Sequence, residues 1–277
     1  MISLEFGKSI SIRQSCLRRI LVDVASAGKI EAMATPLRIA MWSGPRNVST
    51  ALMRSFSSRP DTTVLDEPFY AHYLKVSGIA HPGRDEVIAA YENNWEKVVQ
   101  FISGPVPDGK TIWYQKHMGQ HMLPHIDLNS LVESGALTHA FLIREPAEVI
   151  TSYLKVHSKM TLAETALPQQ VELFRLAMRK SGRTPPVIDA RDLLIDPAST
   201  LSRLCGALDI AYTDQMLSWP AGSHPNDGNW ARYWYGNVYE TTGFENHTSK
   251  PIKIPSELSP MLVQARQLYD HLAEYKL

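Results

Sequence analysis

Trp42-Ser43-Gly44-Pro45-Arg46-Asn47-Val48-Ser49-Thr50-Ala51-Leu52-Met53 is the stretch from which the fold can be read. An apolar strand breaks at Gly44-Pro45 and restarts as a helix with two hydroxyls in its first turn. Backbone N–H groups at a helix start have no intrahelical partner, and the helix dipole favours negative charge there. Arg46 adds a planar, permanently charged donor fork. The outline is that of an anion site for a phosphate or sulfate, formed by Gly44, Pro45, Arg46, Asn47, Val48, Ser49 and Thr50. Counted from Gly44, the spacing G-x-x-x-x-G-K-[ST] puts Ser49, Thr50 and Ala51 where glycine, lysine and a hydroxyl are needed, so this is not an ordinary ATP loop.

Thr138-His139-Ala140-Phe141-Leu142-Ile143-Arg144-Glu145-Pro146-Ala147-Glu148-Val149-Ile150-Thr151-Ser152-Tyr153 repeats the arrangement. A strand of buried character ends at Arg144, Pro146 suits the first position of a helix, and the helix carries Ser152. A third stretch runs Val187-Ile188-Asp189-Ala190-Arg191-Asp192-Leu193-Leu194-Ile195-Asp196-Pro197, followed by apolar periodicity through Leu204-Cys205. Asp227-Gly228-Asn229-Trp230 lies near the C-terminus.

In this order the segments resemble the sulfotransferases that use 3′-phosphoadenosine 5′-phosphosulfate (PAPS), and most of all the bacterial-type sulfotransferase-like proteins. The family's phosphosulfate loop reads roughly P-K-S-G-T-T, against Pro45 to Thr50 here, with Arg46 in place of lysine and Val48 in place of glycine. The resemblance makes Arg144 and Ser152 the 3′-phosphate pair. Gly228 and Trp230 fall in the family's Gly-Asp-Trp cofactor loop, although the basic Arg-Lys-Gly before it is absent. It also implies a three-layer α/β/α fold with a central parallel sheet, of the P-loop nucleoside triphosphate hydrolase-like kind. The implied activity is sulfuryl transfer from PAPS to a hydroxyl or amine of a small-molecule acceptor, with no metal.

The residues themselves support an α/β reading. Strands are expected at Leu37–Trp42, Thr62–Leu65, Thr111–Gln115, His139–Ile143 and Val187–Asp189, each short and apolar and mostly followed by helical patterning. Helices are expected at Val48–Ser57, Ala147–His157, Leu167–Arg179, Ala198–Leu208 and Leu258–Tyr275. Val87, Ile88, Tyr91, Trp95, Val98, Val99 and Ile102 at helical spacing predict one long amphipathic crossover. The Trp- and Tyr-rich stretch 218–250 reads as an ordered loop or lid.

In open parallel sheets ligands bind beyond the carboxyl ends of the strands. That rule selects Arg46 to Thr50, Asp66-Glu67-Pro68, Lys116-His117, Arg144 and Asp189 to Arg191. Glu67 is the favoured base to take the acceptor's proton, and His117 is its rival because imidazole titrates near neutrality. Lys116 keeps the place of the family's lysine, and the resemblance implies that it stabilises the leaving phosphate. Strand alternation sends Lys116 and His117 to opposite faces if the strand runs through both. His117, His121 and His125 at a spacing of four would line one helical face, but no H-E-x-x-H pattern accompanies them and no metal is expected.

The chain has 277 residues, 44% hydrophobic and 20% charged, with a formal net charge of +0. That argues against a disordered or polyanion-coating protein and against a nucleic-acid partner. Cys16 and Cys205 show neither metal nor redox spacing, which fits a reducing, cytoplasmic setting. No apolar run approaches a membrane span of about 20 residues. Met33-Ala34-Thr35-Pro36 reads like a natural protein start, so residues 1–32 are expected to be a dispensable extension and 33–277 a single domain. Two readings compete with the sulfotransferase. One is a P-loop-type nucleotide or small-molecule phosphotransferase; the other is a non-catalytic phosphoadenosine-binding protein. A pyridoxal-phosphate aminotransferase has no recognisable Schiff-base lysine here.

Overall fold

Five strands follow one another through the chain: β1 Leu37–Ser43, β2 Thr62–Asp66, β3 Ile112–Met118, β4 Thr138–Ile143 and β5 Val187–Asp189. The computed structural model describes residues 36–277 apart from positions 134, 249 and 250, and the extension read over residues 1–32 lies outside the described residues. The helices are α1 Ser49–Ser57, α2 Tyr70–Ser77, α3 Arg84–Ala90, α4 Trp95–Ile102, α5 Leu128–Glu133 and α6 Pro146–Tyr153. They continue as α7 Leu167–Ser181, α8 Ala190–Ile195, α9 Pro197–Ala207, the short α10 Ala231–Trp234 and α11 Gly236–Tyr239, and α12 Ser259–Ala273.

The strands form one parallel sheet in the order β2-β3-β1-β4-β5. Alternation along β1 shows why it is central. Ala40 and Trp42 enter one core with α4, α5, α7 and α12, whereas Ile39 and Met41 enter the other with α1, α8 and α9. Both faces are therefore covered, giving three layers, and every β1 side chain from Ile39 to Trp42 is fully buried. The order reverses between β1 and β4, and a cleft opens at the carboxyl ends of the strands there.

The expected long crossover is two helices. Tyr91 turns extended, Asn94 accepts a bond from the Lys97 N–H, and α4 starts afresh from that cap. Local capping by Asn overrides a periodicity that continues across the break. The strand after the crossover runs on through Lys116, His117 and Met118, three residues beyond its expected end. Among the described residues no helix is long and apolar enough to cross a membrane.

Candidate active site

The loop between β1 and α1 is held in an unusual shape. Arg46 adopts φ +56, the left-handed region. Asn47 Nδ2 donates to the Leu142 carbonyl of β4 at 3.1 Å, and Asn47 Oδ1 accepts from the Val48 N–H at 2.9 Å. Gly44 permits a close approach, since a Cβ there would lie 2.6 Å from the Thr165 carbonyl oxygen. Helix α1 begins with no side-chain cap, so the N–H groups of Ser49, Thr50 and Ala51 face outward with nothing from their own helix.

Two cations converge on this helix start. Arg144, just beyond β4, donates from Nη1 to the Arg46 carbonyl at 3.0 Å, while Nε and Nη2 both reach Glu148 Oε2 at 2.9 Å. Arg46 Nε donates to Ser152 Oγ at 3.1 Å. Burial and the neighbouring Arg144 both lower the Arg46 pKa, a sign that positive charge is crowded here. The structure thus brings together the loop, Arg144 and Ser152, as the two motifs suggested. It adds Glu148, one turn along α6, which the sequence reading passed over although the i, i+4 spacing to Arg144 was visible.

At the end of β2 and β3 lies a buried network. Lys116 Nζ donates to Asp66 Oδ1 at 2.9 Å, Glu67 Oε1 at 2.7 Å and the Tyr235 hydroxyl at 2.6 Å, which uses all three of its N–H groups. Tyr235 also accepts from Trp230 Nε1 at 3.2 Å and donates to Asp66 Oδ2 at 2.7 Å. Burial alone would lower Lys116, but the two carboxylates outweigh it and raise its pKa, so the amine stays charged. Burial, with Glu67 adding to it, raises Asp66. Glu67 adopts φ +40, pinned by its N–H to the Lys116 carbonyl at 2.9 Å and its own carbonyl to the Tyr70 N–H at 3.0 Å. Its Oε2 lies 3.9 Å from His121 Nε2 and faces the cleft.

Three expected residues stand elsewhere. Because β3 runs through Lys116 and His117, they alternate, and His117 points into the opposite core. There it stacks on Trp42 at 4.5 Å and bonds Gln115 Oε1 at 3.1 Å. Burial, together with His139 and His121, pushes its pKa down to about 3. His117 does not line the cleft. Trp230 is buried against Tyr70 and its ring lies on Gly228, where a Cβ would come within 2.2 Å of it. Gly228 and Trp230 therefore stand behind the cavity wall, and the lid segment that reaches the cavity runs from Trp234 to Thr248. The histidine series does not share a helix face, since His117 is in β3, His121 follows it in a single turn, and His125 pairs with His72 at 2.8 Å.

One cavity of about 380 Å³ joins these parts. Pro45 to Ala51, Arg144 and Ser152 form one end; Glu67, Lys116, Tyr70, Tyr73, His81 and Tyr235 form the other. Burial lowers His121 well below its usual range, with the His81 and Lys116 charges acting in the same direction. Among the described residues no group of three or more His, Cys, Asp or Glu is placed to hold a metal ion.

A family model described as a sulfotransferase domain matches residues 37–269, from the first residue of β1 into α12. The chain belongs to the sulfotransferase family. Among solved structures, this sulfotransferase-family chain is similar to the sulfotransferase domain of the Synechococcus PCC 7002 olefin synthase. The TM-score is 0.52 at 17% identity, covering 90% of this chain and 98% of that one, a likeness of fold. Two curated relatives come from Arabidopsis thaliana, branched-chain-amino-acid aminotransferase-like proteins 1 and 2. They are 39% identical over 246 residues and 37% identical over 235 residues, covering 88% and 84% of this chain. The chain spans less than half the length of these relatives, 43% and 41% respectively.

Proposed function

We propose that the protein transfers a sulfuryl group from PAPS to a hydroxyl or amine of a small-molecule acceptor. The observation that carries this reading is the shared cavity, with a cation-rich helix start at one end and the pinned carboxylate of Glu67 at the other. The residues fit the donor. Arg46, Arg144 and the α1 N-terminus together exceed the single charge of Glu148, and a phosphosulfate would relieve that excess.

The donor, when bound, supplies the sulfuryl group and a 5′-phosphate leaving group. Arg46 and the N–H groups of Ser49 to Ala51 then face the phosphosulfate, where charge builds on the phosphate oxygen as its bond to sulfur breaks. Glu67 takes the proton that the acceptor loses as its oxygen or nitrogen bonds to sulfur. Lys116 orients Glu67 rather than touching the leaving phosphate, because its three donors are already engaged. Arg144 and Ser152 address the 3′-phosphate, for which Glu148 must yield the guanidinium. The acceptor enters between α2 and the lid.

The phosphotransferase and binding-protein readings lack a comparable supporting feature. Aminotransferase chemistry needs a neutral lysine, and Lys116 is held charged by Asp66 and Glu67. Calorimetric titration with 3′-phosphoadenosine 5′-phosphate and with AMP tests the donor site, and preference for the first is expected. Equal affinities would remove the 3′-phosphate assignment. Tight nucleotide binding without acceptor turnover or PAPS hydrolysis would make the chain a binding protein.

A further inference from the structure

Part of the cavity wall is made of rings. Tyr153 stacks on His157 at 4.2 Å, His157 on Trp234 at 6.0 Å, Trp234 meets His81 edge-on at 5.5 Å, and His81 lies 6.3 Å from Tyr73. Burial, with His157 adding to it, holds His81 down at about 4, so this imidazole is neutral at pH 7. Burial lowers His157 as well. Into this wall projects Glu164, half-buried. Its Oε1 accepts from the Tyr153 hydroxyl at 3.3 Å, and its Oε2 accepts from Thr161 N–H and Oγ1 at 2.6 and 2.9 Å. Those bonds fix the carboxylate without neutralising it. Among the described residues no Lys, Arg or His lies within ion-pair distance of Glu164. Among the described residues the Lys and Arg side chains lining the cavity are exposed Lys155, Arg46, whose charge reaches His157, Arg144, paired with Glu148, and Lys116, paired with Asp66 and Glu67.

We propose that the acceptor carries an ammonium group, seated against these rings with Glu164 as its counter-ion while its hydroxyl turns toward Glu67. The inference rests on the sulfuryl-transfer reading above and adds the acceptor's class. Ring faces attract a cation through their quadrupole, and a carboxylate among them that is hydrogen-bonded but has no cationic partner gains one. Glu67 is paired with Lys116, so once a donor covers Arg46, Glu164 is the carboxylate at the acceptor end without a cationic partner, and it disfavours an anionic acceptor.

Size-matched probes test this: tyramine, 4-ethylphenol and 3-(4-hydroxyphenyl)propionate, titrated calorimetrically into protein saturated with 3′-phosphoadenosine 5′-phosphate. Tyramine should bind about ten-fold more tightly than 4-ethylphenol, and the carboxylate more weakly than either. Glu164→Gln should bring the first two together while leaving nucleotide affinity unchanged. Should that variant not fold, Trp234→Leu should weaken tyramine more than 4-ethylphenol. Equal binding of the wild-type protein to the three probes, no binding of tyramine at millimolar concentration, or a preference that survives Glu164→Gln would overturn the proposal. Nucleotide affinity is read in a separate titration. If the nucleotide fails to bind, the donor reading falls, and the same series with inorganic sulfate still decides the ammonium preference.

Discussion

Lys116→Met removes the cation from a site where two carboxylates face one another. Lys116 and Asp66 side chains are each 1% exposed and Glu67 is 11% exposed, so water replaces the lysine's charge poorly. Breaking a buried ion pair by deleting one partner costs about 3–5 kcal/mol, because the remaining charge is left uncompensated. At about 2–4 °C per kcal/mol for a domain of this size, melting should fall by roughly 6–20 °C at pH 8. The loss should shrink at pH 5. Burial raises Asp66 in the folded state, so it binds its proton more tightly there than in the unfolded chain. Its contribution is favourable in acid and is lost as pH rises through the folded pKa. Lys116 offsets that loss at neutral pH, and without it Asp66 rises further. Scanning calorimetry from pH 5 to 8 on the wild type, Lys116→Met and Asp66→Asn/Lys116→Met measures this, the double variant recovering part of the stability. A Lys116→Met loss that is below about 1 kcal/mol, or equal at both pH values, would refute the reasoning.

Arg46→Ala should lower turnover by about 100-fold or more while donor affinity changes much less, and Arg46→Lys should restore part of it. Loss of affinity alone would make Arg46 a binding residue. Arg144→Ala should abolish the preference for 3′-phosphoadenosine 5′-phosphate over AMP, read by calorimetry, and Glu148→Gln should strengthen nucleotide binding by freeing the guanidinium. Glu67→Gln should suppress turnover with donor affinity retained, whereas His117→Gln should leave the pH profile of turnover unchanged because the imidazole lies across the sheet. Gly44→Ala should destabilise the fold by about 1–3 kcal/mol in denaturant titration, since the added methyl meets the Thr165 carbonyl and the loop must move.

The five strands, the parallel character of their sheet and the strand-loop-helix around Gly44 to Thr50 were legible in the sequence because they rest on local rules. Short apolar runs, a Gly-Pro break and hydroxyls at a helix start act over a few residues. The same holds for the opposed faces of Lys116 and His117, which follow from strand alternation once β3 extends through both. The crossover was misread because apolar spacing continues across residues 91–94, where capping by Asn94 stops the helix. What only the tertiary structure decided is where charges find partners. Tyr235 reaches Lys116 across 119 residues of sequence and, with Asp66 and Glu67, engages all three of its N–H groups. The burial of Trp230 behind the wall and the aiming of Glu164 among rings depend on packing of the lid, α2 and the turn before α7. Counter-ions and walls come from elements far apart in the chain, and no local pattern encodes the distance between them.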